Sequence, residues 1–359
     1  MIAHFVYNLL SYSGAAFQAH SLCKCLGTKN NIIFNIGSSS KINYYNKDGI
    51  IIIDLPLNYL KRLFYITILF ITLKIKVVHL HGWILTGLIP AIFLRKKIVL
   101  KTTMFGDDDI ASIIKRNKKN LYFLKYLSSV ISISTPIKKS NDKCIKNLAL
   151  KCQSIYLPNG VVDDELILDN HEKKPIFCTV GVISDRKGTL DAIQYFINNY
   201  MTLPDSKLYI VGPTPEDDDY AESNIIYYQS CQKYSEKYPD KIIITGKLSK
   251  DKVYDIYKKS IAHIFLSRKE GMPNVILESM YFNCVPLITE IEGVAYDIID
   301  NNKDGFIFKN REFINISFEM IQHIAINKLP HKKIMDKFLL KNLSIEHKKN
   351  YENIICKKI

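Results

Sequence analysis

The sequence predicts an α/β protein built from two doubly wound parallel sheets. Short β-branched runs alternate with helix-length amphipathic stretches from the first residues to about residue 310. The runs are apolar almost throughout, as expected of parallel strands that are covered on both faces. The alternation breaks off once, near residue 160, and then restarts. Since 359 residues exceed the usual size of one hydrophobic core, two domains are expected.

The predicted strands follow the apolar runs. In the first half they lie near residues 2–9, 31–36, 49–54, 76–80, 97–103, 129–134 and 153–157. In the second half they lie near residues 175–181, 206–212, 241–245, 262–266, 285–289 and 305–308. Helical patterns fill the intervals, which predicts open sheets with helices on both faces.

The domain boundary is predicted from the turn signal at residues 158–160, which a polar segment follows. We therefore predict an N-terminal domain over residues 1–160, a linker over 161–174 and a C-terminal domain over 175–328. The last residues, 329–359, are predicted to be a helical tail that packs back on the N-terminal domain.

The formal net charge of +14 indicates negatively charged partners. Nucleic acid, an anionic membrane surface and phosphorylated substrates all fit this charge. No arginine-rich arm or nucleic-acid-binding motif is present, so we predict no nucleic-acid partner. The most apolar stretch, residues 63–73, is about half as long as the ~20 residues that a membrane-spanning helix needs. This stretch is therefore predicted to be a buried or interfacial helix.

The cysteines and the first residues bear on localisation. Eight cysteines are scattered without zinc-site or redox CxxC spacing, which predicts reduced thiols that act as small apolar packing residues. The first residues lack the basic segment of a signal peptide. We predict a cytoplasmic protein that can lie on the cytoplasmic face of the membrane.

The strongest functional signal is segment 267–278, which follows an apolar strand and runs into a helix. Pro273 and Asn274 stand where a first-turn proline and a capping side chain are favoured. The unpaired amides of a helix N-terminus accept phosphate. Glu270 precedes this terminus and Glu278 lies about two turns inside it, so both carboxylates could hold hydroxyl groups of an extended ligand. On spacing alone, a dipole-complementing Glu270 and a solvated Glu278 explain the pattern equally well.

Two further strand-to-helix loops have the composition of phosphate-binding loops. Residues 180–189 place Arg186 and Lys187 at a helix start, where point charges beside backbone donors suit a diphosphate. Residues 11–16 set Gly14 among small side chains that allow close backbone approach. A simple tight turn explains this second loop about as well.

Taken together, these segments resemble the retaining GT-B glycosyltransferases of glycosyltransferase family 4. Residues 270–278 are similar to the E-x7-E signature of that family, and residues 278–288 to its EAMACGxPVI segment. The resemblance implies a GT-B fold, in which two Rossmann-like doubly wound domains face a central cleft. It also implies that Glu270 contacts donor-sugar hydroxyls and that Glu278 holds the nucleotide ribose. The backbone facing sugar and phosphate would be that of Gly271, Met272, Pro273, Asn274 and Val275.

The resemblance extends to the basic loop and to the strands beside it. Lys187 matches the family lysine that neutralises the leaving diphosphate. The family arginine is absent because Val182 stands at its position, and Arg186 is close enough in sequence to serve instead. Gly212 lies in a segment similar to LxIVGxG, where glycine lets the chain pass close to the base. Residues 244–246 resemble the family's FxG segment, which stacks against the nucleobase.

The acceptor side is marked more weakly. Gly14 matches one glycine of the family's first loop. The family often has a histidine where this chain has His81, so His81 is expected to line the cleft. The next strand ends at Thr103, where family members commonly have another histidine. Asp107 is the third residue expected on the acceptor side.

No metal site and no cofactor are predicted. His79 and His81 form an alternate-residue pair, but no carboxylate or cysteine is near them in sequence. The acidic runs 107–109 and 217–219 resemble the metal-binding DxD motif of the other glycosyltransferase fold. In this chain the lysine-bearing loop is expected to neutralise the diphosphate instead.

The resemblance therefore implies a retaining, metal-independent hexosyltransferase-type enzyme. Its expected partners are a nucleoside diphosphate sugar as donor and a carbohydrate or lipid-linked acceptor, such as a lipopolysaccharide or capsule intermediate. Two alternatives remain open at this point. A sugar-nucleotide epimerase of the same fold would use the same donor site without an acceptor. A noncatalytic basic binding protein would depend only on the positive charge.

Overall fold

The computed structural model describes residues 1–9, 14–37, 39–163, 173–217 and 224–356. They form two compact units. Unit 1 comprises Met1–Val162 together with Leu340–Ile359, and unit 2 comprises Asp163–Leu339. Most of the predicted linker, residues 161–174, lies outside the described residues.

Unit 1 contains an eight-stranded sheet in the order β3-β4-β2-β1-β5-β6-β7-β8, parallel except for β3. Its strands are β1 (Ile2–Tyr7), β2 (Asn31–Ile36), β3 (Asn43–Lys47), β4 (Ile50–Leu55), β5 (Val77–His81), β6 (Lys97–Thr102), β7 (Ser129–Ser132) and β8 (Gln153–Tyr156). Its helices are α1 (Gly14–Leu26), α2 (Tyr59–Thr72), α3 (Leu85–Phe93), α4 (Ile110–Arg116), α5 (Asn120–Leu124), α6 (Thr135–Asn147) and α14 (Leu340–Cys356). The predicted strands of this half are confirmed.

Strand β3 is the one element of the first sheet that the hydrophobic pattern does not reveal. It carries mostly exposed polar and aromatic side chains and pairs antiparallel with β4 at the edge of the sheet. An edge strand with both faces near solvent needs no apolar alternation, so its sequence resembles a loop.

Both faces of the first sheet are covered by helices. Since alternate residues of a strand point to opposite faces, the residues of β1 pack on two different sets of helices. On one face, Ala3 and Phe5 of β1 pack with apolar side chains of α2, α3 and α4. On the other, Val6 packs with α1, and the neighbouring Val77 packs with Tyr351 of α14.

Unit 2 contains a six-stranded sheet in the order β11-β10-β9-β12-β13-β14, in which every pairing is parallel. Its strands are β9 (Ile176–Val180), β10 (Lys207–Val211), β11 (Ile242–Gly246), β12 (Ala262–Phe265), β13 (Val285–Thr289) and β14 (Phe306–Phe308). Its helices are α7 (Thr189–Asn199), α8 (Ile225–Lys237), α9 (Lys250–Lys259), α10 (Asn274–Tyr281), α11 (Ala295–Ile298), α12 (Phe318–Ile326) and α13 (Leu329–Lys337). The predicted strands of this half are confirmed as well.

The helical tail begins later than predicted. Residues 329–339 belong to unit 2, where α13 packs against α10 and α12. Only α14 belongs to unit 1. There the Leu340 amide donates to the Val161 carbonyl at 2.8 Å, and the backbone of Leu340 lies against Gly160. The boundary was misplaced because both helices are amphipathic, and periodicity alone does not tell which sheet a helix covers.

Residues 63–72 of the apolar stretch lie within α2, whose inner face is buried through Ile66 and Phe70. Its outer face is also apolar: Leu60, Phe64 and Ile71 are 75%, 63% and 59% exposed. Across the described ranges, no helix combines the length and apolarity needed to cross a bilayer.

Gly188, just before α7, lies against the backbone that follows β12. It has a φ of +68°, and a Cβ there would lie 2.2 Å from the Leu266 carbonyl oxygen. Gly246 has nearly the same φ, +67°, but a Cβ there would meet nothing within 4 Å. The pair therefore separates the effect of backbone conformation from that of steric contact.

Gly188→Ala is expected to destabilise unit 2 by at least ~2 kcal/mol more than Gly246→Ala, measured by urea unfolding. Both variants carry the penalty of about 1–2 kcal/mol for a left-handed alanine, but only Gly188→Ala also has to displace Leu266. Equal unfolding free energies for the two variants would contradict the close approach.

Candidate active site

The site is built where the strand order of unit 2 reverses direction. Strand β9 has β10 on one side and β12 on the other, so the helices after β9 and β12 leave from adjacent strand ends. Open α/β sheets bind ligands at this position. The loop after β9, residues 181–188, carries the basic pair, and the loop after β12, residues 266–273, carries Glu270.

Glu270 is held by three side chains. Its Oε1 accepts hydrogen bonds from Lys187 Nζ at 2.7 Å, from Ser267 Oγ at 2.8 Å and from Arg186 Nη1 at 3.1 Å. The side chains of Glu270 and Lys187 are only 10% and 16% exposed. The three residues that the sequence predicts to be catalytic are therefore in direct contact.

Hydrogen bonds that involve both backbone and side chains join the two loops to each other. The Arg268 amide donates to the Arg186 carbonyl at 2.8 Å, and Arg186 Nη1 donates to the Lys269 carbonyl at 2.8 Å. At the outer edge, Arg268 Nη2 bonds the Asp185 carboxylate at 2.8 Å. The position of the basic pair relative to Glu270 thus depends on the backbone as well as on side chains.

The aliphatic part of Lys187 lies over Gly181. A Cβ at Gly181 would be 3.5 Å from Lys187 Cδ and Cε, and Lys187 Nζ lies 5.4 Å from the centre of the Phe265 ring. Gly181 and Phe265 thereby direct the ammonium group toward Glu270.

His263 is a positioning residue that the sequence does not mark as functional. Its Nε2 accepts from the Val180 amide at 3.2 Å, so its Nδ1 carries the proton and donates to Ser279 Oγ at 2.9 Å. Burial lowers the pKa of His263 to about 3, with the Lys187 charge as a second cause. The neutral ring joins β9, β12 and α10. A single histidine in an apolar strand gives no sequence signal for this role.

Helix α10 starts one residue later than the motif suggests. Pro273 is its N-cap, with an extended ψ of 108°, and Asn274 is its first residue, so Asn274 does not cap the helix. Glu278 is consequently the fifth residue of α10, little more than one turn inside rather than two. Gly271, Met272 and Pro273 are buried, whereas Asn274 and Val275 are half-buried.

Glu278 is half-buried, and burial raises its pKa to about 7, although the charge of Lys250 acts in the opposite direction. A carboxyl group with a raised pKa in the folded state binds its proton more tightly than in the unfolded chain. Its contribution to stability is therefore present at low pH and is lost as the pH rises from about 4.5 to about 7.

Glu278→Gln is accordingly expected to raise the melting temperature of unit 2 at pH 8 by roughly 3–6 °C and to change it little at pH 5. Thermal unfolding at the two pH values checks this. Glu319→Gln, at an exposed position of α12, serves as the control. An equal rise at both pH values would mean that ionisation of Glu278 is not the cause.

Three glycines follow each other across the strand ends of β9, β10 and β11. The Gly181 amide donates to Val211 at 2.9 Å, and the Gly212 amide donates to Gly246 at 3.1 Å. A Cβ at Gly212 would lie 1.8 Å from the Gly181 carbonyl oxygen. A side chain at position 212 would therefore collide with the chain after β9. This steric reason for Gly212 differs from the close approach to a base that its motif suggests.

An open depression of ≈ 590 Å³ borders Gly246, the last of these glycines. Its lining includes Thr214, Tyr228, Ile244, Thr245, Gly246 and Lys247. Asp217, from the second acidic run, accepts from the Thr214 amide at 2.8 Å and closes a turn there. Asp218 and Asp219 lie outside the described residues.

In unit 1, Gly14 is exposed and is the first residue of α1, while residues 11–13 of its loop lie outside the described residues. Thr103 donates its hydroxyl to the buried Asp108 at 2.7 Å. Asp107 is exposed and forms an ion pair with Arg116. The partner of Thr103 thus lies within the loop after β6, and the partner of Asp107 is the last residue of α4.

His81 does not have the cleft-lining position that we expected. It is only 4% exposed, and its Nε2 lies 3.2 Å from Nδ1 of His4 on the adjacent strand. Strand alternation directs His79 and His81 to the same face, which α14 covers through His347 and Tyr351. The ring is therefore part of the interior of unit 1.

Comparison with solved structures identifies the fold. The chain is similar to a glycosyltransferase from Rickettsia africae (16% identity, 99% of each chain covered, TM-score 0.73). It is also similar to sucrose-phosphate synthase from Thermosynechococcus elongatus (13% identity, 98% of each chain, TM-score 0.72). A third similar structure is Anabaena HepE in complex with UDP-glucose (12% identity, 98% of this chain, 99% of that chain, TM-score 0.72). The fold is thus GT-B.

No curated protein sequence matches the chain significantly. The family model described as glycosyl transferases group 1 matches residues 165–355, more than half of the sequence. The matched part contains Lys187, Glu270 and Glu278. The protein therefore belongs to the group 1 glycosyl transferases.

Proposed function

We propose that the protein transfers a glycosyl unit from a nucleoside diphosphate sugar to an acceptor hydroxyl, with retention at the anomeric carbon and without a metal ion. The observation that carries this proposal is the contact of Lys187 and Arg186 with Glu270 at adjacent strand ends. Two cations and one carboxylate in a half-buried setting suit a ligand with an anionic end and a hydroxylated end.

The cations have a role in the chemical step. As the bond between the anomeric carbon and the diphosphate oxygen breaks, negative charge develops on the leaving group. Lys187 and Arg186 would stabilise this charge where it appears, which is how an enzyme lowers the barrier. The acceptor oxygen forms the new bond, and its proton passes to a phosphate oxygen of the leaving group.

Glu270 has a different role, because it binds the sugar rather than the phosphate. Its Oε1 is occupied by Lys187, Arg186 and Ser267, and donor hydroxyls would add to this network. A diphosphate bound beside the carboxylate would share the two cations with it. Donor binding is therefore expected to lengthen the contacts of both cations with Glu270.

The nucleoside is proposed to extend toward the strand ends of β10 and β11. Glu278 would accept hydrogen bonds from the hydroxyl groups of the ribose. The base would occupy the depression lined by Ile244, Thr245 and Gly246. HepE is complexed with UDP-glucose, which makes that compound the first donor to test with this protein.

The acceptor is proposed to be lipid-linked and to be met at a membrane surface. The outer face of α2, defined by Leu60, Phe64, Ile68 and Ile71, exposes apolar side chains to solvent. Lys61 and Lys74 are exposed at the two ends of the helix, and Arg95 is exposed after α3, which packs on α2. An apolar stripe with basic neighbours suits an interface with anionic headgroups.

Vesicle flotation tests the membrane part of the proposal. The protein is expected to bind anionic vesicles, to bind neutral ones weakly, and to lose binding as salt rises. The double variant Phe64→Ser, Ile68→Ser should lose binding, whereas Ile326→Ser, at a 63% exposed position in unit 2, should not. Equal binding by both variants would count against the α2 face.

The reaction itself is tested with a panel of nucleotide sugars. Melting temperatures with each compound rank the donors, and the best donor is then incubated with and without candidate acceptors. Transfer of the sugar with retained anomeric configuration after EDTA treatment supports the proposal. Isomerisation of the donor in the absence of any acceptor would instead indicate the epimerase. Binding of nucleic acid without donor turnover would indicate the noncatalytic protein.

A further inference from the structure

Three histidines meet in the interior of unit 1. His4 lies on β1 and is paired in register with His79 on the adjacent strand β5, and His81 follows two residues later on the same face. All three are at most 4% exposed. The rings of His79 and His81 stack at 4.2 Å, and the ring of His4 lies 5.2 and 5.5 Å from them.

Hydrogen bonds to neighbouring groups determine which ring nitrogen of His4 and of His79 carries the lone pair. Asn31 Nδ2 donates to the Gly27 carbonyl at 2.6 Å, so its Oδ1 accepts from His4 Nε2 at 3.1 Å and the lone pair of His4 is on Nδ1. His79 Nδ1 lies 2.7 Å from Tyr351 Oη. When Nδ1 donates there, the lone pair of His79 is on Nε2, which has no partner among the described residues.

We infer that His4, His79 and His81 form a structural binding site for a zinc-like divalent metal ion in unit 1. One nitrogen from each ring lies within 4.8 Å of the other two. His4 Nδ1 and His81 Nε2 are 3.2 Å apart, close to the ~3.3 Å between two nitrogens that each bind Zn²⁺ tetrahedrally at about 2.0–2.1 Å. An all-imidazole set favours Zn²⁺, Cu²⁺ or Ni²⁺ over Mg²⁺ or Ca²⁺.

The surroundings have the second shell that such sites need. Metal-bound histidines usually donate their other ring N–H to an oxygen, which fixes the ring. Asn31 provides that oxygen for His4, and Tyr351 provides it for His79. His347 of α14 lies with its ring 5.8 Å from that of His79 but is not among the residues whose ligand nitrogens converge, so it covers the cluster without adding a fourth ligand.

The protonation state of the three rings favours metal binding, whereas a nearby positive charge opposes it. Burial, with neighbouring charges, keeps the pKa of all three histidines below the usual value, so the rings stay neutral and able to coordinate. His81 carries its proton on Nε2 in the metal-free state and on Nδ1 when Nε2 coordinates. The buried Lys101 opposes a second cation, and we therefore expect moderate rather than very tight affinity.

The test uses the full chain without a polyhistidine tag, stripped with EDTA. We expect one Zn²⁺ per chain after dialysis and a rise in melting temperature of about 5 °C with excess Zn²⁺. We also expect the visible absorption of tetrahedral Co²⁺ when Co²⁺ is bound. His79→Gln and His81→Gln should lose the absorption, whereas His323→Gln, at an exposed position of α12, should keep it.

Two results would overturn the inference. One is a wild-type chain that neither retains Zn²⁺ nor gives the Co²⁺ spectrum. The other is binding that persists unchanged in the double variant His79→Gln, His81→Gln. If these variants do not fold, Tyr351→Phe keeps all three ligands and should bind about 10-fold more weakly; unchanged affinity in that variant would count equally against the site. Since donor chemistry belongs to unit 2, transfer by the stripped protein does not bear on this site.

Discussion

Glu270→Gln is expected to lower kcat by about 10²–10³-fold while changing donor affinity by less than about threefold. The substitution keeps the size and shape of the side chain and removes its negative charge. Lys187 and Arg186 then lose their fixed counter-charge, and the sugar loses a charged acceptor for its hydroxyls. Because alignment of the sugar matters most in the transition state, the rate should change more than binding. Steady-state kinetics and donor titration by calorimetry measure the two effects.

Glu319→Gln provides the control, since this exposed glutamate of α12 also belongs to unit 2. It should leave both kcat and donor affinity unchanged. Near-normal turnover in Glu270→Gln would show that the carboxylate serves only to fasten the loops after β9 and β12, and the proposed role would be wrong.

Lys187→Ala is expected to weaken donor binding about tenfold and to reduce kcat by about 10²-fold. Its ammonium group would contact the diphosphate both before and during bond breaking, so ground-state binding and rate should fall together. The folded state should tolerate the change, because Glu270 keeps Ser267 and Arg186 as partners. Lys258→Ala, at an exposed position of α9, is the matched control.

A double-mutant cycle distinguishes a shared role from two separate ones. The loss of kcat/KM in each variant is converted to a loss of transition-state stabilisation free energy. If Lys187 and Glu270 act on one bound donor, the free-energy loss in the double variant should be smaller than the sum of the losses in the two single variants. Strict additivity would indicate that the two residues act independently, despite the 2.7 Å contact between them.

Much of the fold could be predicted because buried parallel strands leave a strong trace in the sequence. Every strand of unit 2 lies where an apolar run predicts one. Strand β3 was missed because it is exposed at a sheet edge. The end of unit 2 was misplaced because α13 and α14 are both amphipathic, and the choice of sheet is a long-range property of packing.

Some residues of the candidate site could likewise be named from the sequence, and others could not. The places of Glu270 and Lys187 in strand-to-helix loops could be predicted from local patterns, whereas their expected roles came from the family resemblance. Arg186 could be named as a replacement for the arginine absent at Val182, but only the structure shows that its Nη1 reaches the Glu270 carboxylate. Ser267 and His263 gave no signal, because a hydroxyl or an imidazole acquires its role only from partners distant in sequence.

The position of α14 has a consequence for how the chain is made. Unit 1 takes its first 162 residues from the start of the sequence, but Tyr351 and Ile354, which cover one face of its sheet, come from the last twenty. During synthesis all of unit 2 must therefore emerge before α14 can cover this face of the first sheet. A ribosome-bound or truncated product that lacks α14 would leave Val77, Val99 and Ile131 uncovered on that face. Such products are expected to aggregate or to require a chaperone, although the missing segment lies far from Glu270 in sequence.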